Sequence, residues 1–471
     1  MGSSTGMNPL ALLPEMLLFG GGLVCLLGGS FTPRRRQGWL RAVAALALVG
    51  SAVAAVVGSG SASAAFGGAF AVDVATTVAR VVVSVSTIVV LALAADEVSE
   101  DARESETYAL LLFAATGVLV LAGARDLLVL AVGFLLASIP LYALVGLGRT
   151  ARAAEAALKT YLLGALFGIV LLLGVTLLYG VGGTTAYPEL ASVLADGPTP
   201  VLATGVVAVL AGLAFKAGSV PAHFWVPDAA EGATGLAAAF ATTVPKVGAV
   251  IAVYRLVEAL PDALAWGVLV GVLAVASMTL ANLAAFGQDD PRRLLGWSTV
   301  SQVGYLLVPV AVAGRSDLAL PALLLYLAGY AVTNLAAFAV TSALPGVRTL
   351  SGYSGLMGTS PLLAVALVIA LLGLVGTPPT VVFVGKLTTA TAAWDGGMAW
   401  LTVAVLVNTL ASLFYYLRWV APAIRRKDAS TDLERRRTWS ARAAVVTAGG
   451  SVVLGILAGP LWALVDSPLL P

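Results

Sequence analysis

From Leu10 to Leu464 the chain is a succession of apolar runs, most about twenty residues long and closed by a short cluster of charge, glycine or proline. Twenty residues of α-helix rise about 30 Å, the thickness of a bilayer's hydrocarbon core. In that medium every backbone N–H and C=O must be satisfied within the protein, so repeated runs of this length must be helices. Fourteen spans can be drawn: Leu10–Ser30, Trp39–Gly58, Val72–Ala95, Tyr108–Gly123, Leu127–Gly148, Ala156–Gly180, Val201–Val226, Leu236–Leu256, Leu264–Phe286, Leu294–Ala313, Leu318–Leu344, Leu362–Ala390, Met398–Val420 and Ala443–Leu464. The expected fold class is an all-α polytopic membrane protein with about 14 transmembrane helices. Only 11% of the residues are charged, against about 25% in a soluble domain. The longest polar stretch, Arg425 to Arg442, reads as a basic loop. No Lys or Arg occurs in the first ten residues, so the first run lacks the basic start of a signal peptide and reads as a span.

The scarcity of ligating residues narrows the chemistry. One cysteine, Cys25, and one histidine, His223, leave no set for a Cys-ligated iron–sulfur cluster or a bis-histidine haem. A P-loop or a convincing dinucleotide fingerprint is also missing. No cofactor is expected in this chain, and any electrons travel elsewhere.

Basic residues orient the spans. Alternate loops carry Arg34, Arg35, Arg36 and Arg41, then Arg103, Arg149 with Arg152, Arg292 with Arg293, Arg348, and the cluster from Arg418 to Arg442: eighteen of the 26. The opposite loops hold Arg125, Arg255 and Arg315. By the positive-inside rule the first set is cytoplasmic and both termini face outward. The five remaining basic residues, Arg80, Lys159, Lys216, Lys246 and Lys386, fall within spans or at their margins.

A charge at a helix centre costs about 2.5–3.5 kcal/mol on insertion scales. Burial disfavours the charged form of a lysine and a neighbouring charge shifts the balance again. Lysines at membrane depth therefore suit a proton path. Prolines accompany three of them: Pro221 after Lys216, Pro245 directly before Lys246, and Pro378 with Pro379 before Lys386. A helix broken by proline exposes carbonyls, which membranes tolerate where they are buried in protein or line a cavity. The alternative is that these prolines kink helices for packing. For Lys159, Glu155 one turn earlier offers an ordinary interfacial pair. Arg80 reads as snorkelling or structural, and Glu15 as a helix-end or interface residue. His223 is either part of a polar connection with Asp228 and Glu231 or a packed histidine. Asp228, following Pro227, is placed to cap the next helix. A weak internal duplication is visible: "KAGSVP" at Lys216 and "TPPTVVFVGK" ending at Lys386 have their lysines 170 residues apart, an offset of five spans.

The stretch "FKAGSVPAHFWVPDAAEGATGLAAAFATTVPK", together with "LLPE", "LLGWSTVSQVGYLL" and "GTPPTVVFVGK", resembles in order and spacing the antiporter-like subunits of respiratory complex I. Glu231–Gly232, with a lysine fifteen residues further on, looks most like the subunit N branch. The resemblance implies two inverted five-helix repeats with broken helices 7 and 12, and the boundaries 1–106, 107–260, 261–424 and 425–471. It implies that Lys216, Lys246 and Lys386 carry protons along a midplane axis, with Lys159 and His223 at the matching sixth-span and signature positions. It implies a proton-translocating subunit of an NADH-quinone oxidoreductase in the bacterial plasma membrane. Its expected partners are the other membrane subunits of complex I, the lipid bilayer, and a quinone bound by neighbouring subunits, with no nucleic acid. Two positions depart from the family pattern. Leu135 replaces the fifth-span glutamate that pairs with the seventh-span lysine, and Gln302 replaces a tenth-span histidine. These departures keep a non-pumping structural paralogue as an alternative, beside a multi-subunit cation/proton antiporter subunit.

Overall fold

The computed structural model describes residues 8–60, 62–99, 101–195, 197–261, 265–425 and 436–470. Among these lie nineteen α-helices. The first six are α1 Leu13–Phe31, α2 Gly38–Val57, α3 Val74–Glu97, α4 Glu104–Gly123, α5 Leu127–Gly146 and α6 Ala151–Gly182. They are followed by α7 Tyr187–Leu194, α8 Thr199–Ala217, α9 Trp225–Gly232, α10 Gly235–Glu258, α11 Trp266–Phe286, α12 Pro291–Ala311 and α13 Ala319–Ala343. The last six are α14 Leu356–Thr359, α15 Pro361–Val375, α16 Val381–Asp395, α17 Ala399–Ile424, α18 Thr438–Ile456 and α19 Ala458–Val465. A small antiparallel hairpin, β1 Ser63–Ala65 with β2 Phe70–Val72, joins α2 to α3.

Thirteen helical segments among the described residues are long and apolar enough to cross a membrane. The remaining expected span, Leu362–Ala390, is divided into α15 and α16, fifteen residues each. The seventh expected span is likewise α8 followed by the short α9. Fourteen crossings are thus accounted for, and most of the expected basic loop lies outside the described residues.

Both divided spans end their first half in the same way. At Gly218 φ is +83°, and the N–H groups of Gly218 and Ser219 donate to the Ala214 carbonyl. At Gly376 φ is +92°, and the N–H groups of Gly376 and Thr377 donate to the Leu372 carbonyl. Glycine takes this left-handed turn without a Cβ penalty, and the prolines that follow cannot resume the helix. Pro245 behaves differently from expectation. Helix α10 runs through it unbroken, so Lys246 sits on a continuous helix.

Polar residues between the apolar runs start several of the helices. Asp73, Asp126, Thr150, Thr234 and Asp290 accept backbone N–H groups at the N-termini of α3, α5, α6, α10 and α12. Each satisfies a donor that the first helical turn leaves free. The expected cap Asp228 instead lies inside α9, and Thr234 caps α10.

Three helices form the core. The most apolar window of α10 is wholly buried, and those of α12 and α13 nearly so, whereas only a third of α6 and α17 is covered. A helix apolar all round belongs at a centre surrounded by other helices. Around α10 pack α3, α4, α8, α9, α12 and α13.

Two buried ion pairs tie the first span to the third and the third to this core. Arg80 donates through Nε and Nη2 to the two carboxylate oxygens of Glu15, both at 2.8 Å, and to the Ala11 carbonyl. Of the readings offered from sequence, the structural one holds for Arg80 and the helix-end one for Glu15, which lies in the first turn of α1. Arg255 grips Asp73 with both terminal nitrogens, at 2.8 and 2.6 Å, and also reaches the Ala122 carbonyl. Burial pushes the Asp73 carboxyl up, but the Arg255 charge and the hydrogen bonds outweigh it and hold the group below its ordinary range. A carboxyl lowered in the folded state stabilises above its unfolded pKa, and that stability is lost as pH falls through the folded value. Asp73→Asn leaves Arg255 buried without its counter-charge, at a cost of about 3–5 kcal/mol. The purified complex carrying it should unfold at lower temperature at pH 7, with the difference narrowing in acid. A pH-independent difference would refute the electrostatic account.

Candidate functional site

Lys216, Lys246 and Lys386 are 1%, 0% and 5% exposed. The first lies in the last turn of α8, directly before the Gly218 break; the second is mid-way along α10; the third is in α16, after the Gly376 break. Folding brings the first two to one place. A Cβ on Gly218 would stand 3.4 Å from the Lys246 ammonium.

Aromatic faces cover this first place. The Lys216 ammonium is 5.3 Å from the centre of the Phe134 ring, and that of Lys246 is 4.5 Å from the centre of Trp225. The negative face of an aromatic ring attracts a cation without hydrogen-bonding it. The indole N–H of Trp225 also donates to the Phe215 carbonyl at the open end of α8. Among the described residues, the Lys216 and Lys246 ammoniums, the Ser219 hydroxyl and both His223 nitrogens find no hydrogen-bond partner. So many buried polar atoms at one helix break are satisfied in proteins by ordered water.

The second break is closed differently. Lys386 donates to the carbonyls of Leu374 and Val375, at 3.1 and 2.9 Å, so the second half of the span caps the first. Gln302 donates to the same Leu374 carbonyl at 2.9 Å and accepts from the Tyr326 hydroxyl at 2.6 Å. The Tyr305 ring lies 4.0 Å from the ammonium. Gln302, read from sequence as a departure, therefore belongs to the hydrogen-bonded shell of this lysine.

Between the two places runs a set of polar contacts on the three core helices. Tyr330 donates to the Thr242 carbonyl at 2.6 Å and lies 3.3 Å from the Thr299 hydroxyl. Asn334 donates to Thr243 at 2.9 Å and to Thr242 at 3.2 Å. None of these residues stood out in the charge-based reading. The available signal was the spacing of Tyr326, Tyr330 and Asn334, four residues apart on one face of an apolar span.

Lys159 and His223 stand apart. Lys159 is partly exposed and pairs with Glu155 at 2.7 Å and Asp228 at 2.8 Å. Arg293 extends the group to Asp228 and Glu231, at 2.7 and 2.9 Å, joining α6, α9 and α12. His223 is buried against the rings of Phe224 and Trp297, at 4.4 and 5.4 Å. It makes no hydrogen bond to Asp228 or Glu231, so the expected polar connection is replaced by ion pairs around Lys159 and Arg293. Leu135 is 41% exposed, and its buried neighbour Phe134 is the α5 residue lying over Lys216. The lysines at the two breaks are also not aligned with each other. Lys216 is two residues before its glycine and Lys386 ten after, so the 170-residue offset matches lysines but not breaks.

Residues 124–412 match the family described as NADH:quinone oxidoreductase/Mrp antiporter, TM. Over 470 residues, 99% of this chain and all of the relative, the sequence is 62% identical to NADH-quinone oxidoreductase subunit N of Mycobacterium sp. (strain JLS). It is 52% identical to NADH-quinone oxidoreductase subunit N 1 of Streptomyces griseus, with 98% of both chains covered. Among solved structures, a chain of respiratory complex I from Thermus thermophilus superposes with a TM-score of 0.83 at 29% identity, covering 97% of this chain and all of that one. A chain of the Mrp complex from Dietzia sp. DQ12-45-1b has the same fold, with a TM-score of 0.84 at 23% identity, covering 98% and 97%. The broken spans, the deep lysines and full-length identity agree: this chain belongs to the subunit N family of NADH-quinone oxidoreductases, within the NADH:quinone oxidoreductase/Mrp antiporter family.

Proposed function

We propose that the chain is a proton-translocating membrane subunit of an NADH-quinone oxidoreductase, driven by quinone reduction in neighbouring subunits. Lys216, Lys246 and Lys386 are the proton carriers. The observation that carries this reading is their burial at and between two helix breaks, where one pair lies against aromatic rings with no protein acceptor among the described residues and the third is held by two carbonyls. A lysine that can be solvated by carbonyls or isolated against aromatic rings has two settings with different proton affinities. Movement of the breaks, forced by chemistry elsewhere in the complex, would switch between them. Lys159 and His223 hold the basic end of the broken seventh span in place rather than carry protons. The two inverted repeats, over 107–260 and 261–424, would supply one break each. No redox group is assigned to this chain.

The arginine-rich side is cytoplasmic in this reading, with both termini outside. Cys25 is the sole native cysteine and is buried, so a cysteine at Ser467 should react with an impermeant maleimide in intact cells and one at Arg152 should not. The reverse would invert the orientation.

The subunit of a cation/proton antiporter is the competing reading. Purified complex in proteoliposomes, given NADH and quinone, should acidify the lumen without sodium, and Lys246→Met should lower the protons moved per quinone reduced. A strict sodium requirement would favour the antiporter. An unchanged ratio in the assembled variant would favour a non-pumping paralogue.

A further inference from the structure

On the side that carries the arginine loops, a cavity of about 520 Å³ opens among residues of α3, α10, α12, α13 and the segment before α18. Two side chains at its floor are buried and polar. Glu97, the last residue of α3, accepts the Leu236 N–H through Oε2 and the Arg437 guanidinium through Oε1, both at 3.0 Å. Ser342, near the end of α13, is 2% exposed, and its hydroxyl has no partner among the described residues. A Cβ on Gly235 would overlap both Ser342 Oγ and Glu97 Oε1. The two oxygens therefore face the same point, and the missing side chain keeps the space between them open.

The seam between α10 and α13 leads inward from this point. The helices run in opposite directions along it, since Gly235 meets Ser342 and Thr242 with Thr243 meets Asn334. Asn334 lies eight residues before Ser342, about 12 Å along the helix. Its amide donates to both threonines, and its carbonyl oxygen is buried without a partner. Lys246 is one turn beyond Thr242 on α10. Carboxylate, hydroxyl, amide, two hydroxyls and amine thus follow one another from cavity to lysine.

We infer that Glu97 and Ser342 form the mouth through which protons reach the lysine row, and that Asn334, Thr242 and Thr243 are polar stations along the seam from it toward Lys246. A proton taken from the aqueous side neutralises Glu97 and loosens its pair with Arg437. Its passage along the seam protonates the Lys246 amine and leaves Glu97 ionised, so charge and protons balance. Glu97 and Arg437 both lie outside residues 124–412 and Ser342 inside them, so the mouth joins the flanking segments to the matched region. This inference rests on the proton-translocating reading above.

The assembled complex in inside-out vesicles tests it. Ser342→Cys should react with an impermeant maleimide added to the exposed basic side, above the background set by native Cys25. Glu97→Gln should lower the protons moved per quinone reduced to the level of Lys246→Met, and Glu97→Asp should recover most of the ratio. If Lys246→Met lowers the ratio and Glu97→Gln does not, the mouth is misplaced while the lysine reading stands. If neither lowers it, the lysine reading fails and the mouth with it. Should Glu97→Gln not assemble, an unlabelled Ser342→Cys in assembled complex overturns the proposal by itself.

Discussion

Replacing Lys386 by alanine is expected to slow proton passage through this chain by about 10²-fold or more, the scale on which a positioned proton donor or acceptor contributes. The complex should still assemble, because the side chain removed is held by two carbonyls rather than by a buried counter-charge. The Leu374 carbonyl keeps the Gln302 amide as donor, so one acceptor at the break stays satisfied. Lys386→Arg separates proton transfer from capping. Arginine keeps the charge and can donate to both carbonyls, but it does not release its proton in proteins. Proton passage that stays lost in Lys386→Arg marks a proton carrier, whereas recovery would mean that Lys386 only holds the break closed. Lys159→Ala should be much milder. Lys159 is 45% exposed at its side chain, and Arg293 remains to pair with Asp228.

Gly455→Ala should damage the same step from another helix. Gly455 of α18 packs directly on the twelfth-span break. A Cβ there would overlap the Pro379 carbonyl oxygen and come within 2.7 Å of the Thr380 carbonyl carbon and the Val381 nitrogen. All three are backbone atoms, so no rotamer change relieves the clash. The helix or the break must move, at a cost of about 1–3 kcal/mol for overpacking. Moving the break disturbs the short reach from Lys386 to the carbonyls of Leu374 and Val375. Protons moved per quinone reduced should approach the Lys386→Ala value, with a lower unfolding temperature of the complex. Gly449 on the same helix is the control, since a Cβ there meets nothing within 4 Å. Equal behaviour of Gly449→Ala and Gly455→Ala would show that α18 does not hold the break.

Much of the site was legible as deviation from an apolar background. Lysine at membrane depth is expensive enough that its position alone marks it. The prolines at 221, 378 and 379 marked the two divided spans because they act through the local backbone, whereas the glycines at 218 and 376 that end the first halves were not singled out. Pro245 misled for a related reason. A single proline removes one donor from a helix, and α10 is wholly surrounded by other helices, so it passes through without breaking. Tyr330, Asn334 and Ser342 were overlooked because uncharged polar residues are common in spans, and only their neighbours give them a role.

By itself the sequence determined the class of fold, the succession of apolar spans and the placing of three lysines within them, and its prolines marked where two helices divide. Each of these follows from length, insertion cost or local backbone chemistry. Tertiary structure decided who meets whom. Glu15 and Arg80 are 65 residues apart, Asp73 and Arg255 182, and Glu97 and Arg437 340. It also decided that Lys216 and Lys246 rest on aromatic rings while Lys386 is bound by carbonyls. The physical reason lies in the core helices themselves. Helices α10, α12 and α13 are buried nearly all round, so no amphipathic stripe in their sequence says which face turns toward which neighbour. That rotation is set only when the helices pack, and the pairing of every buried polar group follows from it.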